Sequence, residues 1–167
     1  MKYHDIEKVS LVNGEGIRTV LWVSGCSHHC KGCQNPVTWN PDDGIEFTAG
    51  SLLELFEKCS HDYIDGLTLS GGDPMYPDNR EEITRICRMF RTQFGDRKTI
   101  WMYTGYRFEE IENEPVMEYL DTVVDGEYVE ELADLNYMWA GSTNQVVWKK
   151  INGAWVPTRE WGNVLNE

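Results

Sequence analysis

Three cysteines, Cys26, Cys30 and Cys33, stand on one short stretch: Ser24-Gly25-Cys26-Ser27-His28-His29-Cys30-Lys31-Gly32-Cys33-Gln34. Their spacing is Cys-x3-Cys-x2-Cys. Thiolates are soft ligands, so three on one loop can serve a single metal centre. The fourth coordination position is then either closed by a residue or kept for a substrate. Zinc is one reading, with His28 or His29 completing a Cys3His site. Structural zinc sites, however, usually join two ligand pairs from separate turns, and no second pair is present. An iron–sulfur cluster is the other centre that cysteine thiolates hold. Three thiolates would bind three irons of a [4Fe–4S] cube and leave the fourth iron for a chelating substrate. The other two cysteines, Cys59 and Cys87, fall on the apolar stripes of two expected helices. A free cysteine there behaves as a small core hydrophobe, not as a ligand.

The elements that must carry this loop are legible from hydrophobic spacing. Thr19-Val20-Leu21-Trp22-Val23 is β-branched and apolar and reads as a buried strand that runs into the cysteine loop. Ser51 with Glu54 predicts a capping box, followed by a helix with Leu52, Leu55, Phe56 and Cys59 on one face. Gly66-Leu67-Thr68-Leu69-Ser70 is a second strand, ending in Gly71-Gly72-Asp73-Pro74. A second helix carries Ile83, Ile86, Cys87 and Phe90. Residues 99–104 form a third strand, closing at Gly105. Residues 108–120 are weakly helical and interrupted at Pro115. Thr122-Val123-Val124-Asp125 is a fourth strand, stopped by Gly126. Val146-Val147-Trp148 and Ala154-Trp155-Val156 read as extended. Strands alternating with helices predict an α/β protein with a mostly parallel sheet. Right-handed crossovers put the strand C-terminal ends on one edge, where sites of this class form. The cysteine loop, Gly71-Gly72-Asp73, Gly105 and Asp125-Gly126 are expected to share that edge.

Composition bounds the function. The 167 residues suit a single domain with a real core. A net charge of −13 offers no cationic surface for a phosphate backbone, so nucleic acid is not an expected partner. The charged start, Met1-Lys2-Tyr3-His4-Asp5, has no apolar signal region, and no run is long enough to span a membrane. A cytoplasmic location is expected, where five cysteines do not form a disulfide framework.

Cys-x3-Cys-x2-Cys after a strand resembles the motif of the radical S-adenosylmethionine (SAM) enzymes. Gly71-Gly72-Asp73 is similar to that family's Gly-Gly-Glu motif, with a carboxylate one methylene shorter. Val12-Asn13-Gly14-Glu15-Gly16-Ile17-Arg18 resembles the Gly-Pro-Gly-Ile-Arg stretch of the glycyl-radical activating enzymes, with Glu15 at the proline position. Cys33-Gln34-Asn35-Pro36-Val37-Thr38-Trp39 resembles their Cys-x-Asn-x-x-Thr-Trp. Residues 101–106, 124–128 and 141–147 narrow the likeness to the branch that acts on the anaerobic ribonucleoside-triphosphate reductase.

The resemblance implies an α/β fold built as an incomplete, laterally open (βα) barrel of the radical SAM type, as one domain over residues 1–167. Residues 150–167 would be a C-terminal extension. It implies one [4Fe–4S] cluster on Cys26, Cys30 and Cys33, with SAM chelating the open iron. Gly71, Gly72 and Asp73 would receive the SAM amino group. Gly32, Cys33 and Gln34 would contact the adenine through the backbone. The implied reaction is reductive cleavage of SAM to a 5′-deoxyadenosyl radical. That radical takes a glycine Cα hydrogen from the partner reductase, with reduced flavodoxin or a similar protein as electron donor. No acid–base side chain is needed, and His28 and His29 then read as solvated loop histidines. Asp125, Asn144 and Gln145 could contact the ribose or the partner, or serve as turn residues. Two alternatives stand: an activator of a different glycyl-radical enzyme, and a zinc-stabilised, non-catalytic interaction module.

Overall fold

A computed structural model describes residues 1–158 of the chain. Strands β1 (Lys2–Ser10), β2 (Arg18–Val23) and β3 (Ile45–Glu46) open the fold, and helix α1 (Ala49–Cys59) follows. Next come β4 (Gly66–Gly71), α2 (Arg80–Phe94), β5 (Thr99–Tyr103) and the single turn α3 (Phe108–Ile111). Strands β6 (Thr122–Asp125), β7 (Val146–Ile151) and β8 (Ala154–Pro157) complete it. All eight strands lie in one sheet of order β3-β1-β2-β4-β5-β6-β7-β8.

The centre of the sheet, β2-β4-β5-β6, is parallel as the alternation predicts. Both flanks are antiparallel, through β3-β1-β2 on one side and β6-β7-β8 on the other. The sheet is therefore mixed, where a mostly parallel one was expected. The antiparallel strands are those whose pairing is set by return loops rather than by helical crossovers. The extended stretch after Lys149 is a hairpin that closes at Asn152-Gly153, a sequence suited to a two-residue turn. It packs Trp148 face to face on Phe108, with ring centroids 4.1 Å apart, and sets Trp155 edge-on to the same ring. The rest of the expected extension, residues 159–167, lies outside the described residues.

Alternation along the parallel strands gives the sheet two different faces. Leu21, Val23, Leu67, Leu69, Ile100, Met102 and Val123 point to the helices, joining Leu55, Phe56, Ile83, Ile86 and Phe90 in the main core. Each fully buried side chain of this size contributes roughly 1.5–3 kcal/mol. Cys59 and Cys87 are wholly buried there, and burial pushes both thiols up to about 12. They are core residues, as their place on the helical stripes predicted. Helix α1 starts earlier than expected. Thr48 is the cap and Ser51 its reciprocating partner: the Thr48 hydroxyl accepts from the Ser51 amide, and the Ser51 hydroxyl from the Thr48 amide. No helix of the described residues is long and apolar enough to cross a membrane.

The opposite face carries Trp22, Ser70, Tyr103 and Val124, which line a cavity. Arg18, at the start of β2, is 1% exposed. Burying a guanidinium is tolerable only if its donors are satisfied. Here Nε donates to Thr68 Oγ1, Nη1 to Glu15 O and Thr99 Oγ1, and Nη2 to Leu67 O and Thr99 O. Those five bonds use every donor that arginine has. Burial lowers its pKa to about 10, so it stays cationic at neutral pH. Thr68 in turn donates to the Asn13 carbonyl at 2.7 Å, which pins the loop before β2 beneath the sheet. Glu15, at the position the resemblance gives to proline, is tied by an ion pair to Lys149.

Candidate functional site

The C-terminal ends of β2, β4, β5 and β6 fall on one edge because these strands are parallel. The cysteine loop follows β2 directly. Its entry is stapled by backbone bonds: Ser24 N to Lys2 O, Gly25 N to Thr38 O and Cys26 N to Trp39 O, all between 2.8 and 3.0 Å. The loop therefore closes on the short 3-10 turn Pro36–Thr38. Cys33 N donates to Cys30 O at 3.1 Å, which keeps the last two cysteines on a single turn. All three thiols are free and partly exposed, and all three line the same cavity, about 630 Å³ in volume. The Asn35 amide points at the Cys33 sulfur at 3.3 Å, a donor placed to stabilise a thiolate. Burial raises the Cys26 and Cys30 thiols above their ordinary value, so ligation must release their protons.

This donor set fits an iron–sulfur cube. In a cube each thiolate takes its own iron. Both candidates for a fourth zinc ligand are otherwise engaged. His29 stacks on Trp39, with centroids 4.5 Å apart and planes 15° from parallel. His28 holds two carboxylates, through Nε2 to Asp73 at 2.9 Å and Nδ1 to Glu127 at 2.8 Å. The expectation of a solvated loop histidine does not describe His28. A neutral imidazole donates through one nitrogen only, so holding both carboxylates takes the imidazolium. Its pKa is pushed up to about 9, chiefly by the Asp73 bond.

Gly71-Gly72-Asp73 lies across the same cavity from the cysteines. Gly71 has a φ of +103°, and a Cβ there would stand 2.6 Å from the Val23 backbone. A Cβ on Gly72 would stand 2.5 Å from the Gly25 carbonyl. The pair is glycine because this turn must press against the start of the cysteine loop. Gly72 N donates to Val23 O and Asp73 N to Gly25 O, closing that contact. Asn79, ahead of α2, adds bonds from its side-chain amide to Ser24 O and Asp73 O. The Asp73 carboxylate, 1% exposed, is occupied by protein on both oxygens. Oδ1 accepts from Met75 N and Thr104 Oγ1, and Oδ2 from Gly105 N and His28 Nε2.

The remaining expected contacts divide. Gln34 lines the cavity beside Cys33, as do Tyr103 and Thr104. Gly32 does not: it is exposed and sits against the Glu130 side chain. Asp125 is buried and accepts from Phe108 N and Val146 N, so it ties α3 and β7 to the end of β6. Burial raises its pKa. Asn144 donates to Glu127 O. Gln145 accepts from Gly141 N and Ser142 N and donates to Gly126 O, which folds residues 141–145 over the end of β6. These three are turn residues, although Gln145 also faces the cavity. Trp22 is a cavity wall held by its Nε1 donating to Glu7 at 3.0 Å. Trp139, a residue with no sequence signal, reaches the same cavity from a left-handed backbone with φ +68° and packs edge-on to Trp101.

Comparison with known proteins agrees with this donor set. Residues 12–148 match the family described as a 4Fe-4S single cluster domain. An anaerobic ribonucleoside-triphosphate reductase-activating protein of Enterobacteria phage T4 is 44% identical over 155 residues, covering 93% of this chain and 98% of the relative. Its namesake from Vibrio cholerae is 39% identical over 155 residues, covering 88% and 97%. That of Escherichia coli K12 is 38% identical over 151 residues, with the same coverage. With the three thiols and the Gly71-Gly72 turn on one cavity and relatives matched along almost their whole length, the chain belongs to the family of anaerobic ribonucleoside-triphosphate reductase-activating proteins, radical SAM activases with a 4Fe-4S cluster domain.

Proposed function

We propose that this protein installs the glycyl radical of an anaerobic ribonucleoside-triphosphate reductase, using SAM at a [4Fe–4S] cluster held by Cys26, Cys30 and Cys33. The observation that carries the reading is the meeting of the three thiols with Gly71-Gly72 in one cavity. When bound, the cluster and SAM supply one-electron, hydrogen-abstracting chemistry that no side chain of the chain can supply.

The chain's own residues bind, orient and exclude water. The cysteine loop is held from three sides by backbone bonds to β1, to residues 38–39 and to the turn after β4. That rigidity fixes the thiol directions before any ligand arrives, which lowers the cost of binding. The Gly71-Gly72 main chain lets a cofactor approach without side chains in the way. Trp22, Tyr103 and Trp139 wall the cavity with aromatic surface and keep solvent from a reactive site.

The reading includes a barrel of the radical SAM type that stays open on one side. It is supported by the parallel centre of the sheet and by a strand order that ends in two edges, β3 and β8. An open side suits a substrate that is a segment of a large protein. The reading also includes a cytoplasmic setting, in which the free thiols stay reduced, and reduced flavodoxin as electron donor.

The test is partner choice. The reconstituted protein is incubated anaerobically with reduced flavodoxin, SAM and each of several apo glycyl-radical enzymes, and the radical is read by electron paramagnetic resonance. A glycyl signal on the reductase alone is expected. A signal on another enzyme, with the reductase silent, contradicts the assignment of partner.

A further inference from the structure

We propose that Asp73 is a positioning residue: with His28 it clamps the cysteine loop to the ends of β4 and β5, and it does not itself take the SAM amino group. The inference rests on the reading of this cavity as a cluster and SAM site. It departs from what the Gly-Gly-Asp motif alone suggests.

The first ground is satisfaction. An ionised carboxylate offers about four acceptor positions. Asp73 fills them with Met75 N, Thr104 Oγ1, Gly105 N and His28 Nε2, at distances of 2.8 to 2.9 Å. Two of those donors are backbone amides that cannot turn away. An incoming ammonium would have to displace His28 or break the turn after β5. The missing methylene relative to glutamate matters here, because the shorter side chain stops where these four donors meet.

The second ground is the place of His28. It lies between Cys26 and Cys30, and its ring reaches the loops that follow three different strands. Nε2 bonds to Asp73 after β4, and Nδ1 to Glu127 after β6. The ring stands edge-on to Tyr106 after β5, with centroids 4.7 Å apart. It also packs against Gly105, where a Cβ would come within 2.4 Å of the imidazole. Gly105 is glycine because the ring occupies that space. A side chain inside the cysteine triplet therefore acts as a pin through three loops of the site edge.

The third ground is coupling. Asp73 is buried, and it meets His28 through one shared contact, Nε2 to Oδ2 at 2.9 Å. A change to either residue removes that same contact, so their effects must be non-additive.

The experiment is a double-mutant cycle on the reconstituted full chain: His28→Leu, Asp73→Asn and the pair, with His28→Gln as the conservative variant. Two quantities are read, the rate at which a chelator strips iron and the dissociation constant for SAM from the spectrum of the reduced cluster. Each single change should speed iron loss about tenfold, the scale seen when the residues that orient metal ligands are altered. The pair should be no worse than the more severe single. The SAM constants should follow the same pattern. His28→Gln, which keeps a donor toward Asp73, should restore most of the protection. Three results would overturn the proposal. One is Asp73→Asn weakening SAM with iron loss at the wild-type rate, which marks a direct contact. Another is effects that multiply in the pair. The last is a lowered melting temperature with both quantities unmoved. A wild-type protein that carries a cluster but shows no response to SAM defeats the functional reading instead, and the iron-loss rates still decide the clamp.

Discussion

Cys30→Ala should abolish the cluster, while Cys59→Ala should leave it intact. The two residues are both free cysteines, and only their surroundings separate them. Cys30 is partly exposed on the cavity wall, within a turn that also presents Cys33. A cube that loses one of three protein thiolates has no substitute, because His28 and His29 are held by Asp73, Glu127 and Trp39. Cys59 is fully buried between α1 and the sheet, with its thiol pushed up to about 12, so it neither reaches iron nor ionises. Anaerobic reconstitution followed by iron and sulfide analysis checks this. Cys59→Ala should match the wild type at about four of each per chain, the content of one [4Fe–4S] cluster. Cys30→Ala should hold almost none. Equal loss in both would mean that the ligands have been sorted wrongly.

Gly72→Ala should remove SAM binding although no functional group changes. The new methyl would stand 2.5 Å from the Gly25 carbonyl and 2.8 Å from that of Thr38. Both are backbone atoms of the frame that carries the cysteine loop, and neither is free to swing aside. Relief must come from separating the turn after β4 from the loop, which breaks the Gly72–Val23 and Asp73–Gly25 hydrogen bonds. Overpacking of this kind typically costs about 1–3 kcal/mol of stability. The geometric consequence is larger, since the two halves of the site move apart. Gly50→Ala is the control, because the nearest atom to its Cβ is 3.5 Å away and the position lies in the first turn of α1. There alanine should stabilise slightly, by about 0.5–1 kcal/mol. Thermal unfolding and SAM titration of the two variants distinguish them. Wild-type SAM affinity in Gly72→Ala would contradict the close-approach account.

The parts of the fold that the sequence made legible are those governed by local periodicity. The apolar faces of α1 and α2 and the four parallel strands announce themselves at a spacing of 3.6 or 2 residues. Their shared edge follows from chirality alone. Strand β1 escaped because its pattern is only half apolar. Tyr3, Ile6 and Ser10 are buried, but Asp5, Glu7 and Lys8 between them read as a polar segment. Its extended form depends on pairing with β2, which no local signal encodes. The start of α1 was misplaced by a choice between two hydroxyl residues three positions apart. Ser51 looked like a cap and is instead the partner of Thr48.

The site was legible where the chemistry is sequential and obscure where it is not. Three cysteines on one loop identify themselves by spacing. Gly71-Gly72 is identified by its position at the end of the next strand. His28 could not be read this way, because its partners Asp73 and Glu127 lie 45 and 99 residues further on. A histidine among cysteines suggests a ligand or a solvated loop, and the fold makes it neither. Asp125 ends β6, and Asn144 and Gln145 lead into the antiparallel β7 on the same edge, yet their side chains are spent on backbone amides and carbonyls of neighbouring turns. Being on the edge is necessary for contact with a ligand, and the hydrogen-bond partners decide the rest.

The central claim is that the three thiols hold a cluster whose remaining iron takes SAM. The direct measurement is the paramagnetic spectrum of the anaerobically reconstituted, reduced protein before and after SAM is added. The account predicts about four iron and four sulfide per chain, as for one [4Fe–4S] cluster, and a spectrum that changes on addition of SAM. Stoichiometric zinc in a colourless, folded protein, with no response to SAM, would contradict it.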